Sequence, residues 1–229
     1  MIFCLGKSIA FPPVELAEKN GMLAIGGDLS TERLLEAYSR GIFPWYNDDE
    51  EMVWWSPNPR CVLYPEKVHI SKTMAKTLRK NTFAITFDKN FADVIRSCKK
   101  ERTGQDGTWI TDGILNAYTK LHEMGYAHSV EAWQGEALAG GLYGVSLGGI
   151  FFGESMFSDV ADASKAALIT LCRKLAAIGF HCIDCQVSSE HLMSLGAELV
   201  PREFFTALVK KSMAGMETIV GNWGELFAD

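Results

Sequence analysis

Between residues 126 and 187 the hydrophobic period changes from two residues to about 3.6 and back to two, and this change constrains the fold more than any other feature of the chain. The runs "AHSVEAWQ", "EALAGGLYGVSLG" and "GIFFGESMFS" alternate as strands do, and the turns between them, "QGE" and "LGG", are short enough for antiparallel hairpins. "ADASKAALITLCRKLAAIG" then reads as a helix, with Ala166, Leu168, Ile169, Leu171, Cys172 and Leu175 on its apolar side and Gly179 as its stop. "FHCIDCQV" returns to a strand. Strand, helix and strand in succession imply a right-handed crossover whose two strands run parallel, so the fold class is α+β with a mixed sheet.

An antiparallel meander followed by one such crossover is the layout of the acyltransferase fold typified by the acetyl-CoA-dependent N-acetyltransferases (GNAT-like). The chain ahead of it reads differently. "FPP", "NGMLAIGGDLS", "GIFPWYNDDEE" and "WWSPNPR" crowd turn formers and aromatics together, with Ser30 as N-cap of one short helix, "TERLLEAYSRG", that Gly41 ends. "SKTMAKTLRKN" and "NFADVIRSCKKE" read as amphipathic helices around a strand, "TFAITFD", and "ITDGILNAYTKLHEMG" as another helix closed by Gly125. Beyond the crossover, a last helix, "SEHLMSLG", leads into "AELVPREFFTALVKK" and a tail without a clear pattern. The expected organisation is a smaller N-terminal α+β domain, aromatic-rich, over residues 1–60, and a GNAT-like catalytic domain, including the basic helices, over 61–229.

A formal net charge of −6 argues against a generally sticky nucleic-acid binder. The distribution is lopsided, however. Residues 1–59 hold 4 basic and 9 acidic side chains, residues 60–102 hold 11 and 4, and residues 103–229 hold 7 and 15. A basic block inside an acidic protein suits a local anionic partner such as RNA, and equally a solvated helix surface. The six cysteines show no framework spacing. Cys182-x-x-Cys185, flanked by His181 and His191, has the look of a metal or redox site, but no second close pair of Cys or His accompanies it. The thiols are read as packing residues, and neither metal nor cofactor is expected. No run of about 18 apolar residues and no signal-peptide pattern is visible, so the expected protein is cytoplasmic, without membrane contact. No coiled-coil seam stands out either, and a monomer is expected.

Alternation places Phe152, Glu154 and Met156 on one face of the strand before the crossover helix, and Asp184 and Gln186 on one face of the strand after it. A carboxylate between "IFFG" and "SMF" is costly unless hydrogen-bonded or functional, which makes Glu154 a stronger site candidate than any surface acid. A CoA enzyme needs a glycine-rich turn ahead of the helix to hold pyrophosphate. The turn here is "SDVADASKAAL", with no glycine and two aspartates. The acyl donor should be something else.

The motifs "NGMLAIGGDLS", "GIFPWY", "WWSPNPR", "HISKTM", "GTWIT", "AYTKLHEMGYAHSVE", "GGLYGV", "FFGESMFS", "DASKAAL", "IDCQ" and "SLGAELVPR", in this order over roughly residues 8–205, resemble the leucyl/phenylalanyl-tRNA–protein transferase family. The resemblance implies transfer of Leu or Phe, less well Met, from aminoacyl-tRNA to the α-amino group of proteins with N-terminal Arg or Lys, which marks them for N-end rule degradation. It implies that Glu154 meets the donor at the inner end of its pocket, and that Asp184 and Gln186 orient the attacking amine and help it lose its proton. It also implies that Trp45, Trp109 and Tyr118 hold the terminal adenosine, and that Leu142, Phe151, Leu168, Leu171, Leu175 and Ile183 surround the amino-acid pocket. Several of these are equally at home in an ordinary core, as are Trp54 and Trp55. Within the basic block, Lys72, Lys76, Arg79 and Lys80 are expected to bind tRNA. Two alternatives stand beside this reading, a CoA-dependent N-acetyltransferase and a non-catalytic RNA-binding protein. The missing glycine turn counts against the first, and the acid, acid and amide set against the second.

Overall fold

The computed structural model describes residues 2–48, 50–100 and 109–228. Arg102 of the basic block, Asp49, and Gly107 and Thr108 of "GTWIT" lie outside the described residues. The turn-rich first part builds β1 (Phe3–Leu5), β2 (Met22–Gly26), α1 (Thr31–Ser39), β3 (Phe43–Pro44) and β4 (Val53–Trp55). These strands form a four-stranded sheet in the order β1-β2-β4-β3. Ser30 occupies the N-cap of α1 as expected, but its side chain makes no capping bond; its own amide instead donates to Asp28 Oδ1 at 2.9 Å.

A second sheet has seven strands. The next elements are β5 (Arg60–Leu63), α2 (Lys72–Arg79), β6 (Ala84–Phe87), α3 (Phe91–Lys99), α4 (Asp112–Glu123), β7 (Ala127–Gln134), β8 (Ala137–Leu147) and β9 (Ile150–Ser158). They are followed by α5 (Ala163–Ala177), β10 (Cys182–Gln186), α6 (Glu190–Ser194), β11 (Glu198–Val200), α7 (Arg202–Gly215) and α8 (Trp223–Leu226). The order is β11-β5-β10-β9-β8-β7-β6. Both predicted hairpins are present, with Gln134 opposite Ala137 and Leu147 opposite Ile150. The crossover is present too, β10 lying parallel to β9 with Cys182 opposite Ile150. Helix α6 is not the last, because α7 and α8 follow it. Among the described residues no helix is long and apolar enough to cross a membrane.

Each face of this sheet carries a core. On one face Tyr143, Val145 and Phe152 pack with Leu34, Tyr38, Ile114, Tyr118 and Phe205, and this cluster continues into Leu23, Ala24 and Trp54 of the small sheet. On the other, Leu142, Phe151 and Ile183 pack with the apolar side of α5 and with Trp223. The expected alternation fails at two points, both decisive for the site. Tyr143 pairs with Ser155 but Gly144 with Gly153, so Glu154 is an extra residue in β9. Such a bulge reverses parity beyond it. Phe152 and Met156 therefore lie on opposite faces, not on one as alternation predicts. Gly144 is required there, since a Cβ would meet the Phe152 carbonyl oxygen at 2.2 Å. In β10, Asp184 pairs with Val62 and Gln186 with Cys61, which makes Cys185 the extra residue. Gln186 is left-handed, at φ 54. The predicted common face of Asp184 and Gln186 is thus broken by a second bulge.

Candidate active site

Glu154 is the point on which both irregularities converge. The β9 bulge turns its half-buried carboxylate toward α1 and α4, where Tyr38 donates to Oε1 at 2.6 Å and Tyr118 donates to Oε2 at 3.2 Å. The two phenols also contact each other. From β10, Gln186 Nε2 donates to Oε1 at 3.4 Å. Burial pushes the Glu154 carboxyl up to about 7, against the lowering effect of the tyrosine hydrogen bonds; Asp184 raises it further and Arg60 lowers it. Both phenols are held well above their ordinary range, first by burial and then by the Glu154 charge, so they remain donors. A carboxylate poised near neutrality can both accept and return a proton.

Asp184 is placed otherwise. It is fully buried and both of its oxygens are taken: Arg60 Nε donates to Oδ1 at 2.8 Å and Arg60 Nη2 to Oδ2 at 2.6 Å. The Gln186 amide donates to Oδ1 at 3.0 Å, which fixes the residue after the bulge. The Arg60 guanidinium lies between the rings of Phe43 and Phe205, 4.9 and 4.6 Å from their centroids, and donates to the Gly41 carbonyl at 3.0 Å. One buried ion pair thereby ties β10 to the segment that carries Trp45.

Two cavities meet here. The first is walled by Phe43, Pro44, Trp45, Trp109 and Val187, and the second by Leu142, Phe151, Met156, Leu168, Ile183 and Leu192. Glu154, Cys185 and Gln186 border both. Trp45 is exposed and stands 5.9 Å from Trp55, whose indole Nε1 donates to the Trp45 carbonyl at 2.7 Å.

Of the residues singled out in the sequence, Trp45, Trp109, Glu154, Gln186, Leu142, Phe151, Leu168 and Ile183 come together on these walls. Tyr118 does not reach the wall; it is fully buried behind Glu154. Leu171 and Leu175 are likewise fully buried, in the core under the apolar cavity. Lys72, Lys76, Arg79 and Lys80 are exposed along α2 and its C-cap, and make no ion pair among the described residues. Sequence reasoning missed Arg60 and Tyr38 as site residues. Tyr38 carried a usable signal, a phenol on the apolar side of a helix, whose hydroxyl needs a partner once buried.

The family model described as "Leucyl/phenylalanyl-tRNA protein transferase" matches residues 62–210, and that of the corresponding N-terminal domain matches residues 27–58. A protein named leucyl/phenylalanyl-tRNA–protein transferase from Syntrophus aciditrophicus (strain SB) is 56% identical over 220 residues, covering 96% of this chain and 92% of its own. Its namesake from Anaeromyxobacter sp. (strain Fw109-5) is 52% identical over 97% of this chain and 94% of its own. The solved structure of L-PGS from Bacillus licheniformis, at 12% identity, 73% of this chain, 54% of that chain and a TM-score of 0.41, is too distant to bear on either fold or function. With one family matched along both parts of the chain and relatives above half identity over nearly its whole length, this chain belongs to the leucyl/phenylalanyl-tRNA–protein transferase family.

Proposed function

We propose that this chain transfers leucine or phenylalanine, and methionine less well, from aminoacyl-tRNA to the α-amino group of proteins beginning with Arg or Lys, marking them for N-end rule degradation. The observation that carries the reading is the shared wall: Glu154 and Gln186 border both an aromatic-flanked cavity and an apolar one. An aminoacyl ester of adenosine needs both kinds of surface with its ester bond between them. Trp45 and Trp109 take the terminal adenine, and Leu142, Phe151, Leu168 and Ile183 take the amino-acid side chain. A pocket of this kind resolves leucine from methionine poorly.

An ester is already activated, so the reaction needs positioning and proton transfer rather than a covalent nucleophile. The acceptor amine nitrogen bonds to the ester carbonyl carbon, and the bond from that carbon to the ribose oxygen breaks. The amine loses a proton and the ribose oxygen gains one. Glu154, held at about 7, is suited to carry it. Gln186 orients the amine, and Asp184 acts through the Gln186 backbone it holds. Tyr118 serves the adenosine end from behind Glu154, and Lys72, Lys76, Arg79 and Lys80 contact the tRNA body. In this reading residues 61–229 form a GNAT-like catalytic domain that residues 1–60 complete, and the enzyme works as a cytoplasmic monomer without cofactor. The test is an incubation with charged tRNA and an Arg-starting peptide. The expected product is the peptide extended by one Leu or Phe, lost on ribonuclease treatment; product that survives the nuclease, or that forms with acetyl-CoA in place of tRNA, overturns the reading.

A further inference from the structure

The β10 bulge has a second consequence, on the thiols. A bulge sets two residues of one strand against one of its neighbour, and here Cys185 and Gln186 together oppose Cys61 of β5. Both thiols lie on the same face of the sheet, in the core under α5, where the Cys185 thiol donates to the Ile183 carbonyl at 3.9 Å. They differ in access. Cys61 is fully buried, whereas Cys185 is partly exposed and borders both cavities beside Glu154. We infer that Cys61 and Cys185 form a reversible disulfide under hydroperoxide, and that this bond shuts the transfer site by drawing Gln186 away from Glu154.

Its neighbour Cys185 lowers the Cys61 thiol below its ordinary value, and Cys61 together with burial raises that of Cys185 well above it. The pair therefore ionises on Cys61, and the cavity-facing Cys185 sulfur reacts through its minor thiolate form. Peroxide entering the cavity loses one oxygen to Cys185, its O–O bond breaking, to give a sulfenic acid and water. The Cys61 thiolate then attacks the Cys185 sulfur, and the S–O bond breaks with release of a second water. Two thiols are oxidised and one peroxide is reduced. Cys172, by contrast, is pushed up to about 12 by burial and borders neither cavity.

The inhibitory half of this proposal rests on the proposed transferase activity, while the disulfide itself does not. The experiment exposes the Cys4→Ser protein to hydrogen peroxide and follows intact mass, thiol-mapped peptides and transfer to an Arg-starting peptide. Expected are a loss of two hydrogens per chain, a linked Cys61–Cys185 peptide, and turnover that falls and then returns with a dithiol. Cys61→Ala should keep its initial turnover, lose the linked peptide, and stop at a Cys185 sulfenic acid that dimedone traps. An aminoacyl-adenosine analogue bound beforehand should slow the oxidation. Free Cys61 and Cys185 in the inactivated protein, or a Cys185 sulfenic acid trapped equally in Cys61→Ala and parent, would overturn the disulfide. A linked peptide in a protein with undiminished turnover would overturn the shut-off.

Discussion

Glu154 stores a pH-dependent cost in the fold, and its removal should be visible in stability alone. Burial raises its carboxyl from 4.5 to about 7. For an acid raised in this way the folded protein binds more protons than the unfolded chain between those two values, so stability falls as pH rises through that window and recovers as pH falls. At about 1.4 kcal/mol per unit the full cost is roughly 3 kcal/mol above pH 7, of which about 2 kcal/mol develops between pH 5 and pH 8. Glu154→Gln keeps the size and an oxygen for Tyr38 and Tyr118 but cannot ionise. Urea unfolding of both proteins at pH 5 and pH 8 gives the comparison, because every other titrating group cancels in the difference. The variant should gain about 2 kcal/mol relative to the parent on going to the higher pH, with transfer activity lost. A pH-independent difference between the two would show that the carboxylate is as well solvated folded as unfolded, and the poised proton carrier would have to be abandoned.

Three further outcomes are expected. Replacing Trp45 or Trp109 by Ala should weaken use of charged tRNA by ~1–3 kcal/mol each, read as a rise in KM with kcat largely kept. Asp184→Asn leaves a fully buried guanidinium without its charge partner and should cost ~3–5 kcal/mol in chemical denaturation, and Arg60→Met with Asp184→Leu should cost less than the two single changes added together. Changing Lys72, Lys76, Arg79 and Lys80 to Gln should flatten the salt dependence of tRNA binding by roughly one unit per lost phosphate contact and leave a minimal aminoacyl-adenosine donor unaffected; an unchanged slope would make α2 a solvated surface only.

The meander and crossover were legible because each strand there is long enough for its period to show. Strand β8 alone runs from Ala137 to Leu147, and α5 from Ala163 to Ala177. The short strands β5 and β11, at one end of the sheet, were not legible. "RCVL" and "ELV" are too brief for a period, and they become strands only because β10 offers β5 a free edge and β5 offers one to β11. The buried arginine was hidden for a related reason. A guanidinium beside "SPNP" reads as a surface charge until the fold brings Asp184 to it from 124 positions away.

Residue type points to Glu154 as a candidate, and strand period misplaces its neighbours. Glu154 was singled out because a carboxylate among aromatics is expensive, and that argument needs no strand register. The shared face of Asp184 and Gln186 did need one, and a single extra residue at Cys185 undid it. The same irregularity is what gives the two residues different work. Strict alternation would put both side chains on one face of β10; the bulge and the left-handed Gln186 instead sink Asp184 against Arg60 and leave Gln186 between the cavities. A buried acid then fixes a cavity-lining amide through its backbone, and the amide reaches Glu154 without bringing a second negative charge to the cavity wall. That separation keeps a carboxyl already raised to about 7 from being driven higher, where it would stay protonated and could no longer accept a proton from an amine. The departure from alternation is therefore the feature on which the proposed chemistry depends, and restoring regular pairing by deleting Cys185 should abolish transfer while leaving the sheet able to form.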